Sequence, residues 1–302
     1  MRKPNEFSFE QIVASANDVI IVTKAQPIDG AGPEIVYVNE AFTRLTGYTP
    51  GEALGKTPRI LQGPRTDPGA RQRIRDALTR GQPVRIEILN YSKTGQEYWL
   101  DLNIVPLRND AGEITHFAAI ERDLTQRKQE EAQLFQRATT DALTGIHNRG
   151  YFLERARNEF TRAARLGRPL AVIIFDIDQF KTINDTHGHE AGDKVLVRIV
   201  DTARSVLRQI DILGRIGGEE FALALPEARL AEALSAAERL RATIGRTPVT
   251  IGAKKLTVTA SFGVSERRPA DTTIEALLTR ADRALYAAKA AGRNTVHSHS
   301  GA

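Results

Sequence analysis

Two acids follow two glycines in the stretch Arg215-Ile216-Gly217-Gly218-Glu219-Glu220-Phe221, between the apolar runs Ile212-Leu213 and Phe221–Leu225. Adjacent glycines between strand-like runs predict a tight hairpin turn with left-handed backbone, which glycine adopts at little cost. Carboxylates beside bare backbone suit a metal ion and the phosphates that accompany it. A second acid group closes the apolar run Leu170-Ala171-Val172-Ile173-Ile174-Phe175, where Asp176-Ile177-Asp178 follows at once. Two residues apart on a strand, Asp176 and Asp178 share a face. Asp176, Glu219 or Glu220 and a backbone carbonyl offer hard oxygen ligands, the set that suits Mg²⁺. Lys289 and Arg293 are four apart, which puts them on one face of a last helix where they can neutralise phosphate charge. Standing alone, the hairpin acids read rather as a charged turn, and Lys289 and Arg293 as solvated surface charge.

Those residues need a frame. The run 170–175 predicts a central strand covered on both faces. A long helix follows, with Val195, Leu196, Ile199, Val200, Ala203, Val206 and Leu207 at helical spacing. Beyond the hairpin come a helix over Ala228–Ile244, a strand over Lys255–Val264 and a helix over Ile274–Ala291, which implies a sheet flanked by helices. The first half reads differently. Strands are expected at 17–23 and 34–38, then short helical segments ending at Gly47 and a helix over Asp67–Arg80. Three strands follow, Val84–Tyr91, Glu97–Leu107 and Ile114–Asp123, which completes an α+β plan. Residues Thr125–Thr140 lack Gly and Pro and are rich in helix formers. Leu124, Phe135 and Ala138, with Ala132 or Leu134, give a thin apolar stripe suited to a two-chain coiled coil or to a solvated spacer.

Length and composition bound the function. A chain of 302 residues holds about two domains. With no cysteine, disulfides, thiolate metal sites and thiol chemistry are excluded. No run approaches the ~20 apolar residues of a membrane span, and Met-Arg-Lys-Pro-Asn-Glu is not followed by an apolar signal core, so a cytoplasmic protein without a membrane partner is expected. The net charge of +5 is spread along the chain. Without a basic stripe or helix–turn–helix, nucleic acid is not expected as a partner; anionic small molecules are.

Val38-Asn39-Glu40-Ala41-Phe42, Leu45-Thr46-Gly47-Tyr48 and Asp123-Leu124-Thr125 resemble the PAS superfamily over residues 9–125. Within it, Gly55-Lys56-Thr57-Pro58-Arg59-Ile60-Leu61-Gln62-Gly63-Pro64 is similar to the flavin-binding LOV branch. That resemblance implies a site for flavin mononucleotide (FMN), with Arg59 and Arg75 at the phosphate and Gln62 and Asn90 at the ribityl chain and ring. Pro58 stands where that branch has its photoreactive cysteine, so the thiol adduct is impossible. Thr57, Leu100 and Glu121 replace polar amides, and a carboxylate at Glu121 lacks the donor expected there. Arg59 and Arg75 also suit surface positions on a scaffold used for pairing chains or for another ligand.

Residues 139–297 resemble the GGDEF, or diguanylate cyclase, family through five motifs in order. These are Asp141-Ala142-Leu143-Thr144-Gly145-Ile146-His147-Asn148-Arg149, Phe175–Lys181, Asn184–His189, Gly217–Phe221 and Ala284–Lys289 through Gly292-Arg293-Asn294. The resemblance implies an α+β chain: a PAS domain at 1–124 (antiparallel sheet with short helices), a helical linker at 125–140, and a GGDEF domain at 141–302 whose central sheet is flanked by helices in the manner of nucleotidyl cyclases. It implies condensation of two GTP into cyclic di-GMP by a homodimer with two Mg²⁺ per site. Asp176, the Ile177 carbonyl and Glu219 would hold metal, with Glu220 beside them as a further catalytic acid. Asn184 and Asp193 would read the guanine edge. Phe180 and Lys181, Gly217 and Gly218, and Lys289 and Arg293 would complete the substrate site. Arg208-Gln209-Ile210-Asp211 matches the family's product-inhibition site, with Arg239 as a second contact from a neighbouring domain. Two alternatives stay open: a degenerate domain that only binds cyclic di-GMP or GTP, and a flavin sensor without cysteine photochemistry.

Overall fold

The structure, a computed structural model, describes residues 8–252 and 254–298. Residues 1–7 and 299–302, which fall within the domain limits expected above, lie outside the described residues. The chain divides into two compact units, Met1–Ala132 and Gln133–Ala302.

The first unit begins with α1 (Phe9–Ser15), β1 (Val19–Lys24), β2 (Ile35–Val38), α2 (Glu40–Thr46) and α3 (Pro50–Ala53). A 3-10 turn at Pro58–Leu61 and α4 (Pro68–Thr79) lead to β3 (Val84–Tyr91), β4 (Glu97–Arg108) and β5 (Ile114–Asp123). The strands form one antiparallel sheet in the order β2-β1-β5-β4-β3. Local chemistry sets the helix ends. The Asn39 side chain accepts from the amides of Phe42 (3.2 Å) and Ile20 (3.0 Å), so one residue caps α2 and ties it to β1. Gly47 ends α2 with φ 75°, a left-handed cap. Asp67 caps α4 by accepting from Gly69 and Ala70, with Pro68 in the first turn.

The helix α5 (Thr125–Thr139) carries the chain into the second unit. Its expected stripe is divided. Leu124 is buried, whereas Leu134 and Phe135 are 64% and 62% exposed.

The second unit contains α6 (Arg149–Leu166), β6 (Leu170–Ile177), α7 (Phe180–His187), α8 (His189–Val206), β7 (Ile212–Arg215) and β8 (Glu220–Pro226). It closes with α9 (Leu230–Arg246), β9 (Val249–Ile251), β10 (Lys254–Leu256), β11 (Ala260–Glu266), α10 (Ile274–Ala290) and β12 (Val296–Ser298). The central sheet runs β12-β11-β6-β8-β7, with β6 antiparallel to β8 and β11 and only β11–β12 parallel. All eight residues of β6 are buried. Ala171, Ile173 and Phe175 face a core with Val195, Ile199 and Leu240, while Leu170, Val172 and Ile174 face another with Phe152, Ala156 and Leu277. Phe175 lies between the rings of Phe221 (5.1 Å) and Phe262 (5.0 Å). The burial expected of the 170–175 run is therefore met in an antiparallel setting, because α8 and α9 cover one face and α6 and α10 the other.

Two expectations are corrected and one element is added. The strand expected over Lys255–Val264 is two: β10 pairs with β9 in a separate hairpin, and β11 joins the main sheet. The break falls where Val258 turns inward and Thr259 turns to the end of β6. Lys289 and Arg293 do not share a helix, since α10 ends at Ala290 and Arg293 has a left-handed backbone, φ 68°. The long helix α6, which had no place in the sequence reading, buries Phe152, Ala156, Phe160 and Ala163 at spacings of three and four.

Strand β11 meets α10 at bare backbone. A Cβ on Gly263 would collide with the Ala281 carbonyl and the Leu285 amide, neither of which can rotate away. Gly263→Ala is expected to destabilise the second unit by about 3 kcal/mol or more, read as a lower urea midpoint with an unchanged slope.

Candidate active site and sensor cavity

The end of β6 and the hairpin between β7 and β8 are brought together by register. Asp176 stands opposite Glu220 on β8 and opposite Ser261 on β11, and the Ile177 amide donates to the Glu219 carbonyl at 3.3 Å. The acids therefore collect at one end of the sheet. The amides of Ile216 (2.9 Å) and Gly217 (3.3 Å) both donate to the Glu220 carbonyl, closing the turn. The glycines serve a different purpose from the one expected. Neither Gly217 nor Gly218 is among the residues with left-handed backbone. Gly217 is bare because the Glu220 side chain folds over it: an added Cβ would lie 2.6 Å from its Oε2. Gly218 has open space around its Cα and offers its carbonyl to Arg215, whose Nη2 donates at 2.6 Å.

Arg215 also pairs with Asp141 at 3.0 Å, so the hairpin is tied to the start of the domain. Burial opposes the Asp141 charge, but the Thr144 hydroxyl and amide and the Arg215 guanidinium together hold its carboxyl below the ordinary value.

Asp176 is 7% exposed, and the Lys289 ammonium lies 2.9 Å from its Oδ2. Burial pushes its carboxyl above the ordinary value; Lys289 opposes that shift, and the charges of Glu219 and Glu220 reinforce it. A cation is thus already present where an anion would otherwise be stranded. Among the described residues no three His, Cys, Asp or Glu side chains are gathered closely enough to enclose a metal ion by themselves. The donors nevertheless fit Mg²⁺, which is commonly held by one or two carboxylates and completes its shell with water and phosphate oxygens.

Asp178 does not face the same crevice as Asp176. Its carboxylate accepts from the hydroxyls of Thr259 (2.7 Å) and Ser261 (2.6 Å) and from the Asn294 amide (3.0 Å), fastening β6 to β11 and to the turn after α10. The strand ends at Ile177, so the alternation that would have paired the two acids stops between them. The Thr-x-Ser pattern at 259–261 was the available signal.

Phe180 at the start of α7 is buried in the core, while Lys181 is exposed. Asn184 lies against Gly192, where a Cβ would overlap its Oδ1, and Asp193 is the next residue along α8. Gly192, unremarked in the sequence, is what lets the side chain on α7 reach that position. Asp193 is exposed at a hollow also lined by Leu143, Lys194 and Pro248. Arg208 and Asp211 are closed on one another: the Arg208 amide donates to Asp211 Oδ2 at 2.8 Å, and the guanidinium lies 3.1 Å from Oδ1. Arg239 borders a different hollow, beside Ser205 and Ser235.

The first unit encloses a cavity of about 450 Å³, in the range that holds small organic ligands. Arg59, Gln62, Arg75 and Asn90 all line it, as do Pro58 and Glu121. Arg59 is partly committed, donating to the carbonyls of Gly30 and Ile28. Leu100 is fully buried and is not part of the cavity wall. Burial pushes the Glu121 carboxyl up to about 8, which favours its protonated form at neutral pH over the carboxylate expected from the sequence.

These two units match known families. The family model for the GGDEF domain of diguanylate cyclases covers residues 138–295, and a PAS model covers residues 18–126. The chain belongs to the GGDEF family, with a PAS domain preceding the GGDEF domain. It is 46% identical over 161 residues to the response regulator PleD of Caulobacter vibrioides, covering 53% of this chain and 36% of PleD. It is 45% identical over 159 residues to the diguanylate cyclase DgcP of Pseudomonas aeruginosa, covering 53% of this chain and 24% of DgcP. The chain therefore aligns with only about a quarter to a third of the length of these relatives. Among solved structures, the coiled coil and GGDEF domain of DgcB from Caulobacter crescentus, in complex with c-di-GMP, superposes with a TM-score of 0.55 at 30% identity. That match covers 57% of this chain and 92% of DgcB's.

Asp178 gives a direct check on the packing at this end of the sheet. Asp178→Ala would leave the fully buried Ser261 hydroxyl and the Thr259 hydroxyl without their acceptor. Each buried donor left unpaired costs about 1–3 kcal/mol, so a clear loss of stability in urea unfolding is expected.

Proposed function

We propose that the chain is a diguanylate cyclase, condensing two GTP into cyclic di-GMP with release of two pyrophosphates. The observation that carries this reading is the meeting of Asp176 with Glu219 and Glu220 at one sheet end, with Asn184 on α7 packed against Gly192 of α8, the residue before Asp193. In this reading Asp176, the Ile177 carbonyl and Glu219 hold Mg²⁺, and Glu220 adds charge beside them. Bound Mg²⁺ supplies charge neutralisation at the phosphates and eases deprotonation of the attacking 3′-hydroxyl. Asn184 and Asp193 recognise guanine: the Asp193 carboxylate accepts from N1–H and N2–H, which adenine cannot offer together. Phe180 fixes the start of α7 in the core, so that Lys181 and Asn184 are presented from a rigid turn. Gly218, with open space around its Cα, keeps backbone bare for the nucleotide, and Gly217 would do so once the Glu220 side chain lifts from it. Lys181 and Arg293 would meet phosphate oxygens, and so would Lys289, which pairs with Asp176 in the free chain.

Each domain holds one GTP, so two copies must face one another, and the reaction belongs to a homodimer. Pairing through the PAS domain, assigned here to 1–124, and the linker at 125–140 would set how often the domains at 141–302 meet productively. Arg208 and Asp211, with Arg239 of a neighbouring domain, form the product-inhibition site once their mutual ion pair opens. Asp211 is held in place by the Arg208 amide, so the carboxylate is already oriented as an acceptor. Among the described residues no helix is long and apolar enough to cross a membrane, in keeping with action in the cytoplasm. The PAS cavity supports a second function, a ligand-responsive sensor, for which FMN is the candidate. Arg59 and Arg75 would meet its phosphate, and Gln62 and Asn90 its ribityl chain and ring.

Turnover of GTP with Mg²⁺, after bound product is stripped, tests the cyclase. The wild type is expected to make cyclic di-GMP with a rate per subunit that rises with protein concentration. Glu219→Ala/Glu220→Ala should fall by about 10³-fold or more, and absence of product from the wild type across that range would sink the reading. Arg208→Ala should leave the initial rate near the wild-type value and raise the product concentration needed for half-inhibition by about tenfold or more, a loss of about 1.4 kcal/mol of binding.

A further inference from the structure

The turn that follows α10 holds a conformation that its own residues resist. Gly292, Arg293 and Asn294 are left-handed in succession, with φ of 109°, 68° and 45°. Glycine takes such a backbone freely and asparagine tolerates it, but arginine enters it only where its surroundings compel it. Those surroundings lie on neighbouring elements. The Asn294 amide donates to Asp178 Oδ2 at 3.0 Å. Its side-chain oxygen and its carbonyl both accept from Nη1 of Arg241 on α9, at 2.7 and 3.3 Å. On either side, the Arg293 amide donates to the Ala288 carbonyl (3.2 Å), and the Thr295 carbonyl accepts from the Phe262 amide (2.9 Å).

Arg241 is itself prepared for this contact. Glu238, one turn earlier on α9, accepts from its Nε (2.9 Å) and Nη2 (2.6 Å) in a two-bond fork, which leaves Nη1 for Asn294. The turn stands at the acid end of the sheet. Asp178 lies two residues beyond Asp176, and Lys289, which pairs with Asp176, is in the last turn of the helix that leads into it. Arg293 is exposed, and among the described residues its guanidinium is in no ion pair.

Resting on the reading of Arg293 as a phosphate contact, we propose that Arg241 is a positioning residue for the nucleotide. Aligned by Glu238 and acting with Asp178, it clamps Asn294 so that the left-handed turn presents the Arg293 guanidinium to phosphate oxygens. Arg241 does not touch the nucleotide; it acts through Asn294. Without the clamp Arg293 relaxes toward ordinary backbone, and a guanidinium that must be reordered at each encounter binds more weakly than one held in place.

The test measures binding of 3′-deoxy-GTP with Mg²⁺ to the full chain after bound product is stripped. This nucleotide lacks the attacking hydroxyl, so binding is read without turnover. Arg241→Met keeps the apolar stem and removes the donors. It is expected to weaken binding about tenfold, a loss of about 1.4 kcal/mol, and Arg293→Met is expected to weaken it at least as much. The double variant should match Arg293→Met alone, because a residue that acts only through another adds nothing once that other is gone. Losses that add in the double variant, as a general loosening of the domain would give, overturn the proposal. So does an Arg241→Met protein that binds as tightly as wild type. Urea unfolding shows which variants are folded. If Arg241→Met is not, Glu238→Gln decides: it loosens the fork and is expected to weaken binding about threefold, again with no further loss on Arg293→Met. A wild type that binds 3′-deoxy-GTP but makes no cyclic di-GMP from GTP sinks the cyclase reading and leaves the role of Arg241 to the binding data. A wild type that does not bind it sinks both.

Discussion

A carboxylate placed at the end of a fully buried strand is the constraint on which the catalytic half depends. Burial opposes the charge of Asp176, and the adjacent acids Glu219 and Glu220 make that charge harder still to hold. Lys289, from the last turn of α10, compensates at 2.9 Å. The sheet, the hairpin and α10 must therefore be in register before the site can exist. Gly263 permits it by letting the α10 backbone come against β11, and Asp178 permits it by fastening β6, β11 and the turn after α10 at one point. In such a site the compensating cation is itself a side chain, Lys289.

The hairpin is restrained from the opposite direction. Arg215 holds the Gly218 carbonyl with one part of its guanidinium and Asp141 with another. Asp141 lies just beyond α5, so one ion pair ties the tip of the hairpin to the segment that follows that helix. Phe135 on α5 also packs edge-on to Tyr151 at 6.1 Å, and Tyr151 to His147 at 4.8 Å.

The two halves handle buried polarity in contrasting ways. In the GGDEF domain nearly every buried polar group has a protein partner; Asp178 has three. In the PAS domain Asn90, Tyr98 and Glu121 each leave an atom unpaired, and Asn90 and Glu121 border the same cavity.

The sequence determined much of this chain by itself. Strand β6 and the amphipathic α8 follow from hydrophobic pattern, and the acids at the hairpin from local residue type, because these depend on near neighbours. The helix α6, flanked by loops and with a thinner apolar face, passed unnoticed. Tertiary structure alone decided the rest. Asp176 and Asp178 look equivalent in the chain, yet one faces the site and the other a structural bond, since the strand ends between them. Gly217 and Gly192 are bare for side chains that approach from residues three and eight positions away, Glu220 and Asn184. Lys289 and Arg293 have helical spacing, but the helix stops first. The Glu121 carboxyl is pushed up to about 8 because burial, which no single position in the chain reveals, makes its charge costly.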